Sequence, residues 1–202
     1  MKQVDLYIDY KSPFAYLVVS DAYDLERDFE VEVNWLPYSL NIPSFMGSVE
    51  ERTPHQWRRV RYSYADARRL ANRKGLTVRG PEKVYDTRLC HIGMLYAKEQ
   101  GVFRAYNDYV FPRFWRREFA IESREEIERA LAAAGADAAG FATYAAGRGG
   151  ELHDRITVEA EERGVFGVPM FVVGSELYWG TDRLYLVREQ LETQGLRRRQ
   201  AA

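Results

Sequence analysis

Three short stretches of the 202-residue chain combine residue types that could do chemistry together. The first, DYKSPFAYL (9–17), ends an apolar run and places the hydroxyl of Ser12 before Pro13. Serine followed by proline caps a helix well. The same hydroxyl stands beside first-turn N–H groups, which can stabilise an anion such as a thiolate. The second stretch, GVFGVPMFVV (164–173), puts Val168-Pro169 directly before an apolar run. Pro169 is either a proline at a strand entrance or a cis-proline turn that leaves the Val168 backbone to pair with an extended, peptide-like ligand. The third, WGTDRL (179–184), is a turn leading into a helix, with Thr181 or Asp182 near its cap. A hydroxyl and a carboxylate there also suit the two charged groups of an α-amino acid.

A fourth stretch, HQWRRVRYSYADARR (55–69), recurs at helical spacing: Trp57, Arg61, Tyr64 and Arg68 share one face, and Arg58, Tyr62 and Arg69 a neighbouring one. The bland interpretation is a solvated basic face with aromatics packed beneath it. The sharper one is an arginine that grips a substrate carboxylate beside a ring that stacks on a planar substrate, with Trp57, Arg61 and Tyr64 as candidates. The three histidines, His55, His91 and His153, are scattered, without metal-ligand spacing, so no metal is expected. Cys90, the single cysteine, excludes an internal disulfide and reads as a buried, inert thiol within a helix.

Composition narrows the classes. The formal charge is −1, which argues against a dedicated nucleic-acid binder. No apolar run approaches the roughly 18 residues of a membrane span. The alternating start, MKQVDLYIDY, lacks the apolar core and cleavage site of a signal peptide, which points to a cytoplasmic protein.

The elements that must position these residues follow from periodicity. A strand is expected over 3–10, a helix from Pro13 to about Asp28, and a second strand in FEVEVNWLP, which alternates apolar and polar side chains. Strand, helix and strand in so short a span form a βαβ unit with parallel strands. From 44 to 163 only helices are expected: about 53–74, opened by a capping box in TPHQ; 83–100; 102–116; one after SREE, closed by Gly135; then 137–146 and 151–163. MFVVGSELYW reads as a hairpin, a last helix follows, and the tail RRRQAA is expected to fray. The order βαβ, helices, ββα suggests an α/β domain made of residues 1–43 and 164–202, with an all-helical insertion domain over 44–163.

Taken together, SPxxYL after the first strand, GVFGVP before the third and WGxDRL before the last helix resemble one group over essentially the whole chain. It is the thioredoxin-like family of 2-hydroxychromene-2-carboxylate isomerase and kappa-class glutathione transferase, relatives of the disulfide oxidoreductase DsbA. The resemblance implies a DsbA-like thioredoxin fold and glutathione as cofactor. It implies that Ser12 holds the glutathione thiolate by its hydroxyl, with Pro13 and Phe14 beside it. It also implies that Val168, before Pro169, pairs through its backbone with the cysteinyl unit, and that Thr181 and Asp182 bind the γ-glutamyl end. The activity implied is isomerisation of an unsaturated, aromatic carboxylate-type small molecule, or glutathione transfer, in a homodimer. Where thioredoxin-like oxidoreductases carry Cys-x-x-Cys, this chain reads Ser12-Pro13-Phe14-Ala15, so no dithiol can form there. A redox-inactive binding protein is the rival from another class. The relatives also carry a GN.PP-type segment after the second strand; here SLNIPSFMG offers only Asn41-Ile42-Pro43 as a loose match.

Overall fold

The computed structural model describes residues 1–198. β1 (Lys2–Ile8) pairs in parallel with β2 (Val31–Pro37), Lys2 opposite Val31 and Ile8 opposite Pro37. β3 (Met170–Val173) runs antiparallel to β1, with Tyr7 opposite Met170, and forms a hairpin with β4 (Glu176–Trp179). The sheet order is β2-β1-β3-β4. The central strands carry the most continuous apolar sequence and are buried on both faces, as sheet position demands. In β2, Val31, Val33 and Trp35 are buried while Glu32 is exposed, so its alternation reads out one covered face. Because β1 and β3 are antiparallel neighbours, the chain leaving β1 and the chain entering β3 meet at one end of the sheet. That pairing brings Ser12 beside Val168.

The helix expected from Pro13 to Asp28 is two: α1 (Pro13–Leu17) and α2 (Val19–Asp28). The break falls at the β-branched pair Val18-Val19, both stiff and poor helix formers. A short helix that periodicity missed, α3 (Ile42–Met46), follows β2, with Asn41 as its cap accepting from the Ser44 N–H. A 3-10 turn at Val49–Glu51 leads into α4 (Pro54–Arg73), where the TPHQ capping box is complete: the Gln56 N–H donates to Thr53 Oγ1 and the Thr53 N–H to Gln56 Oε1.

α5 (Arg88–Glu99) starts five residues later than expected, because the preceding chain is tied down elsewhere. Lys83 pairs with Glu122, the Asp86 N–H donates to the same carboxylate, and the Thr87 hydroxyl donates to Asp9 rather than capping the helix. α6 (Phe103–Trp115) and α7 (Arg124–Ala134) lie close to expectation, and Gly135 ends α7 in the left-handed region. In SREE, Ser123 accepts from the Glu126 N–H, but the Glu126 carboxylate turns to Arg129, so the box is half formed. The stretch 137–146 divides into a 3-10 turn, Ala138–Gly140, and α8 (Phe141–Ala146). α9 (Arg148–Glu162) absorbs Gly149 and Gly150. Gly149 allows the close approach: a Cβ there would lie 2.3 Å from a Tyr144 ring carbon.

A 3-10 turn, Thr181–Arg183, precedes α10 (Leu184–Thr193). Of the tail, Arg197 bridges to Phe29 and the Arg198 N–H reaches the Asp28 carbonyl at 2.9 Å, so these two residues do not fray. Residues 199–202 lie outside the described residues. Among the described residues, α5 is buried almost all round from Cys90 to Ala97 and forms the axis on which α6, α7, α8 and α9 pack. No helix among the described residues is long and apolar enough to cross a membrane.

Candidate active site

Ser12 is both a cap and a potential donor. It is 4% exposed and stands at the N-cap of α1 in an extended conformation. Its Oγ accepts the Ala15 N–H at 3.2 Å. Its own proton points to the Val168 carbonyl oxygen at 3.4 Å, a long and weak bond. One lone pair is thus engaged by the helix and the hydroxyl proton is held loosely. Among the first-turn N–H groups, Pro13 has none, Ala15 serves Ser12, and the Phe14 N–H has no intrahelical acceptor. With only five residues in α1, anion stabilisation at this point rests on these local donors rather than on a long helix dipole.

The Val168-Pro169 bond is cis, as the cis-proline reading of that stretch expects. The Pro169 carbonyl accepts the Gly180 N–H at 2.9 Å, which fastens the WGTDRL turn to the same spot. Gly180 has φ +97°, which an L side chain adopts only with strain, and a Cβ there would lie 2.8 Å from Asp182 Oδ1. The Thr181–Arg183 turn packs against α1. Neither Thr181 nor Asp182 caps α10; Arg183 holds the cap position with no side-chain bond. Asp182 is exposed and pairs with Arg183 at 2.5 Å, while Thr181 is half-buried. Ser12, Pro13, Phe14, Val168, Pro169, Thr181 and Asp182 therefore gather at one end of the sheet, on three separate segments.

Beneath this turn lies a buried polar network that sequence reading missed. Asp9 is fully buried and its backbone carbonyl accepts the Ser12 N–H at 2.9 Å. Its carboxylate accepts from the Lys11 N–H (3.1 Å), the Leu40 N–H (2.8 Å) and the Thr87 hydroxyl (2.7 Å), and pairs with Lys11 Nζ at 3.1 Å. His91 Nε2 stands 3.3 Å from it. Burial alone would push the Asp9 carboxyl up, but His91, Lys11 and the Thr87 hydroxyl outweigh it and hold it well below the usual carboxylate range.

His91 and His153 are not scattered: their rings stack at 5.7 Å, and both reach the Ser39 hydroxyl, at 2.9 and 3.2 Å. Burial, with His91 beside it, lowers His153 to about 4. Among the described residues no group of three His, Cys, Asp or Glu is set to hold a metal. A single acidic residue at the end of an apolar strand, inside the very stretch DYKSP, was the available signal for Asp9.

The α4 candidates divide. α4 packs beside α1. Trp57 is half-buried under the Arg52 guanidinium, 5.0 Å from its ring, and Tyr64 is half-buried against Trp115 at 6.5 Å. Burial pushes the Tyr64 phenol up to about 12. Arg61 faces solvent, as in the bland reading of this helix. Cys90 is fully buried, 3.3 Å from the Tyr106 hydroxyl, and burial pushes its thiol up, away from reactivity.

The residues present fit a small thiol peptide: a buried hydroxyl with a loosely held proton, a backbone carbonyl at a strand entrance, and a polar turn beside both. Comparison with known proteins adds to this. The chain is 27% identical over 190 residues to 2-hydroxychromene-2-carboxylate isomerase of Pseudomonas putida, covering 93% of each chain. It is 27% identical over 186 residues to the protein of that name from Pseudomonas sp. strain C18, covering 91% of this chain and 87% of that one. The solved structure of a 2-hydroxychromene-2-carboxylate isomerase superimposes with a TM-score of 0.80 at 26% identity, over 96% of both chains. A family model, the DSBA-like thioredoxin domain, matches residues 3–192, nearly the whole chain, and the chain belongs to that family.

Proposed function

We propose that the protein is a glutathione-dependent isomerase of an unsaturated, aromatic carboxylate-type substrate. The observation that carries this reading is Ser12: its oxygen is anchored by the Ala15 N–H while its proton has only a 3.4 Å partner. A residue that merely caps needs an acceptor; this one also keeps a donor in reserve. The names of the relatives supply the reaction class.

When bound, glutathione would supply a thiolate able to add reversibly to a conjugated carbon. The chain's own residues have three tasks. Ser12 would donate a hydrogen bond from its hydroxyl to the sulfur and, with the Phe14 N–H, favour the charged form. The Val168 backbone pairs with the cysteinyl unit, and Thr181 and Asp182 hold the γ-glutamyl end, for which Asp182 must exchange Arg183 for an ammonium. Ser12 and Ala15 stand where the two thiols of a Cys-x-x-Cys would be needed, so the site cannot cycle as a dithiol.

The test is ultraviolet thiolate absorbance of glutathione titrated with pH in the presence of the protein. A thiol pKa lowered by a unit or more, about 1.4 kcal/mol, and largely restored by Ser12→Ala supports the reading. Glutathione that neither binds nor shifts favours a redox-inactive binding protein. With an electrophilic aromatic substrate, unchanged total glutathione identifies an isomerase and its consumption a transferase.

A further inference from the structure

The formal charge of −1 hides a segregation. α4 carries six arginines, Arg58, Arg59, Arg61, Arg68, Arg69 and Arg73, against one acidic residue, Asp66, so the remainder of the chain holds the excess of acid. All six arginines are exposed. The buried residues of the helix, Ala67 and Ala71, face the core, and Arg58, Tyr62, Arg69 and Arg73 follow the opposite line at helical spacing. Arg61 and Arg68 border that line.

These charges are not answered within the chain. Asp66 serves Arg69 alone, at 3.5 Å. Arg58, Arg59, Arg61, Arg68 and Arg73 have no ion pair among the described residues. Elsewhere Arg104, Arg116, Arg129 and Arg188 each hold a carboxylate. Like charges four residues apart, as at Arg69 and Arg73, destabilise a helix. The row is therefore unfavourable to the free chain and favourable to an anionic partner.

Tyr62 stands within the row. At 64% exposure it is the most exposed aromatic side chain among the described residues, and the Arg69 guanidinium lies 6.0 Å from its ring centre. The ring is thus open to a second flat group on the solvent side.

Length and residue type narrow the partner. Arg58 to Arg73 spans roughly 22 Å at the helical rise. One small carboxylate would engage one or two of these groups, whereas a polymer with repeated anions matches the whole row. The row contains no lysine, and guanidinium forks fit phosphate oxygens in pairs. An open ring among phosphate-binding cations suits a strand whose bases are free to stack. An acidic peptide offers carboxylates without that regular stacking surface, and a duplex keeps its bases inside.

We propose that the exposed face of α4 docks single-stranded RNA. Arg58, Arg61, Arg68, Arg69 and Arg73 contact successive phosphates, and Tyr62 stacks on a base between them. Binding follows the backbone, so it is strongly salt-dependent and tolerant of sequence.

A fluorescent oligouridylate of about 20 nucleotides is the probe, with fluorescence anisotropy on the full chain as the readout. Saturable binding is expected at about 50 mM salt, falling about 20-fold to 100-fold at about 200 mM. The double variant Arg69→Gln/Arg73→Gln should weaken binding about tenfold and flatten the salt dependence, and lysine at the same two positions should restore most of both. Tyr62→Ala should weaken it about tenfold. All three positions are exposed, and circular dichroism should show wild-type helix content in each variant. Absence of saturation at low salt overturns the proposal. So does wild-type affinity in the double variant, or equal affinity for polyglutamate or for duplex RNA of the same length. Ser12→Ala should bind the oligonucleotide as wild type does, so failure of the glutathione titration leaves this result untouched.

Discussion

Ser12 Oγ and the Val168 carbonyl oxygen stand 3.4 Å apart, contributed by segments 156 residues distant in sequence. The bond is long because the same oxygen is drawn 3.2 Å from the Ala15 N–H on the other side. Substitution can separate these two roles. Ser12→Gly removes the hydroxyl, yet glycine is tolerated at a helix N-cap at a cost of roughly a few tenths of a kcal/mol. It is expected to nearly retain the melting temperature and abolish any lowering of the glutathione thiol pKa. Ser12→Ala is expected to lose both, with a stability cost of about 1 kcal/mol. Thermal unfolding and thiolate absorbance on the same samples check the pair.

Asp9→Asn should destabilise the protein by about 3 kcal/mol, since it leaves Lys11 and its other donors facing a neutral amide. The folded-state carboxyl lies below its unfolded value. Its stabilising contribution is therefore complete above the unfolded pKa and is lost as pH falls toward the folded one. Denaturant unfolding at successive pH values should show a flatter acid limb in Asp9→Asn than in wild type.

His153 gives a separate pH dependence. Its folded pKa, about 4, lies below the ordinary 6.5, so the unfolded chain takes up the proton first as pH falls. Stability should decline between about pH 6.5 and pH 4, with a loss of about 2 kcal/mol between pH 7 and pH 5. His153→Gln should remove that slope. An unchanged slope in the variant would place the titrating group elsewhere.

Gly93→Ala sets two effects against each other. Alanine in a helix interior normally gains about 1 kcal/mol over glycine. Here the new Cβ would lie 2.5 Å from the Tyr106 hydroxyl oxygen and 2.8 Å from Ile127 Cγ2, both in fully buried residues. Tyr106 is held by its bond to the Cys90 carbonyl at 3.0 Å. Overpacking, worth about 1–3 kcal/mol, should win, and the melting temperature should fall.

What could be read from the sequence was whatever depends on neighbours in the chain. The alternation of Val31, Val33 and Trp35, the reciprocal Thr53–Gln56 cap and the glycine after α7 are local devices, and each is present. So is the serine cap at Ser12. Helix limits failed where a distant partner claimed a local donor: Thr87, drawn to Asp9 across 78 residues, leaves α5 without its cap. The stacked His91 and His153 lie on α5 and α9, and no spacing rule links positions 62 residues apart. The unpartnered Trp115 indole is likewise a product of packing, invisible until the aromatic walls close around it.

The sheet order has a further consequence for how such a protein can be altered. Ser12 and Val168 hang from the ends of the two central strands, while the aromatic and basic surfaces of α4 and α6 belong to the run of helices between β2 and β3. Under the function we propose, reactivity and selectivity are encoded in separate parts of the gene. On that proposal, a library randomised over exposed positions of α4 explores new substrates while the Ser12–Val168 end of the sheet stays intact, and a graft of that helical run from a relative should carry its selectivity with it.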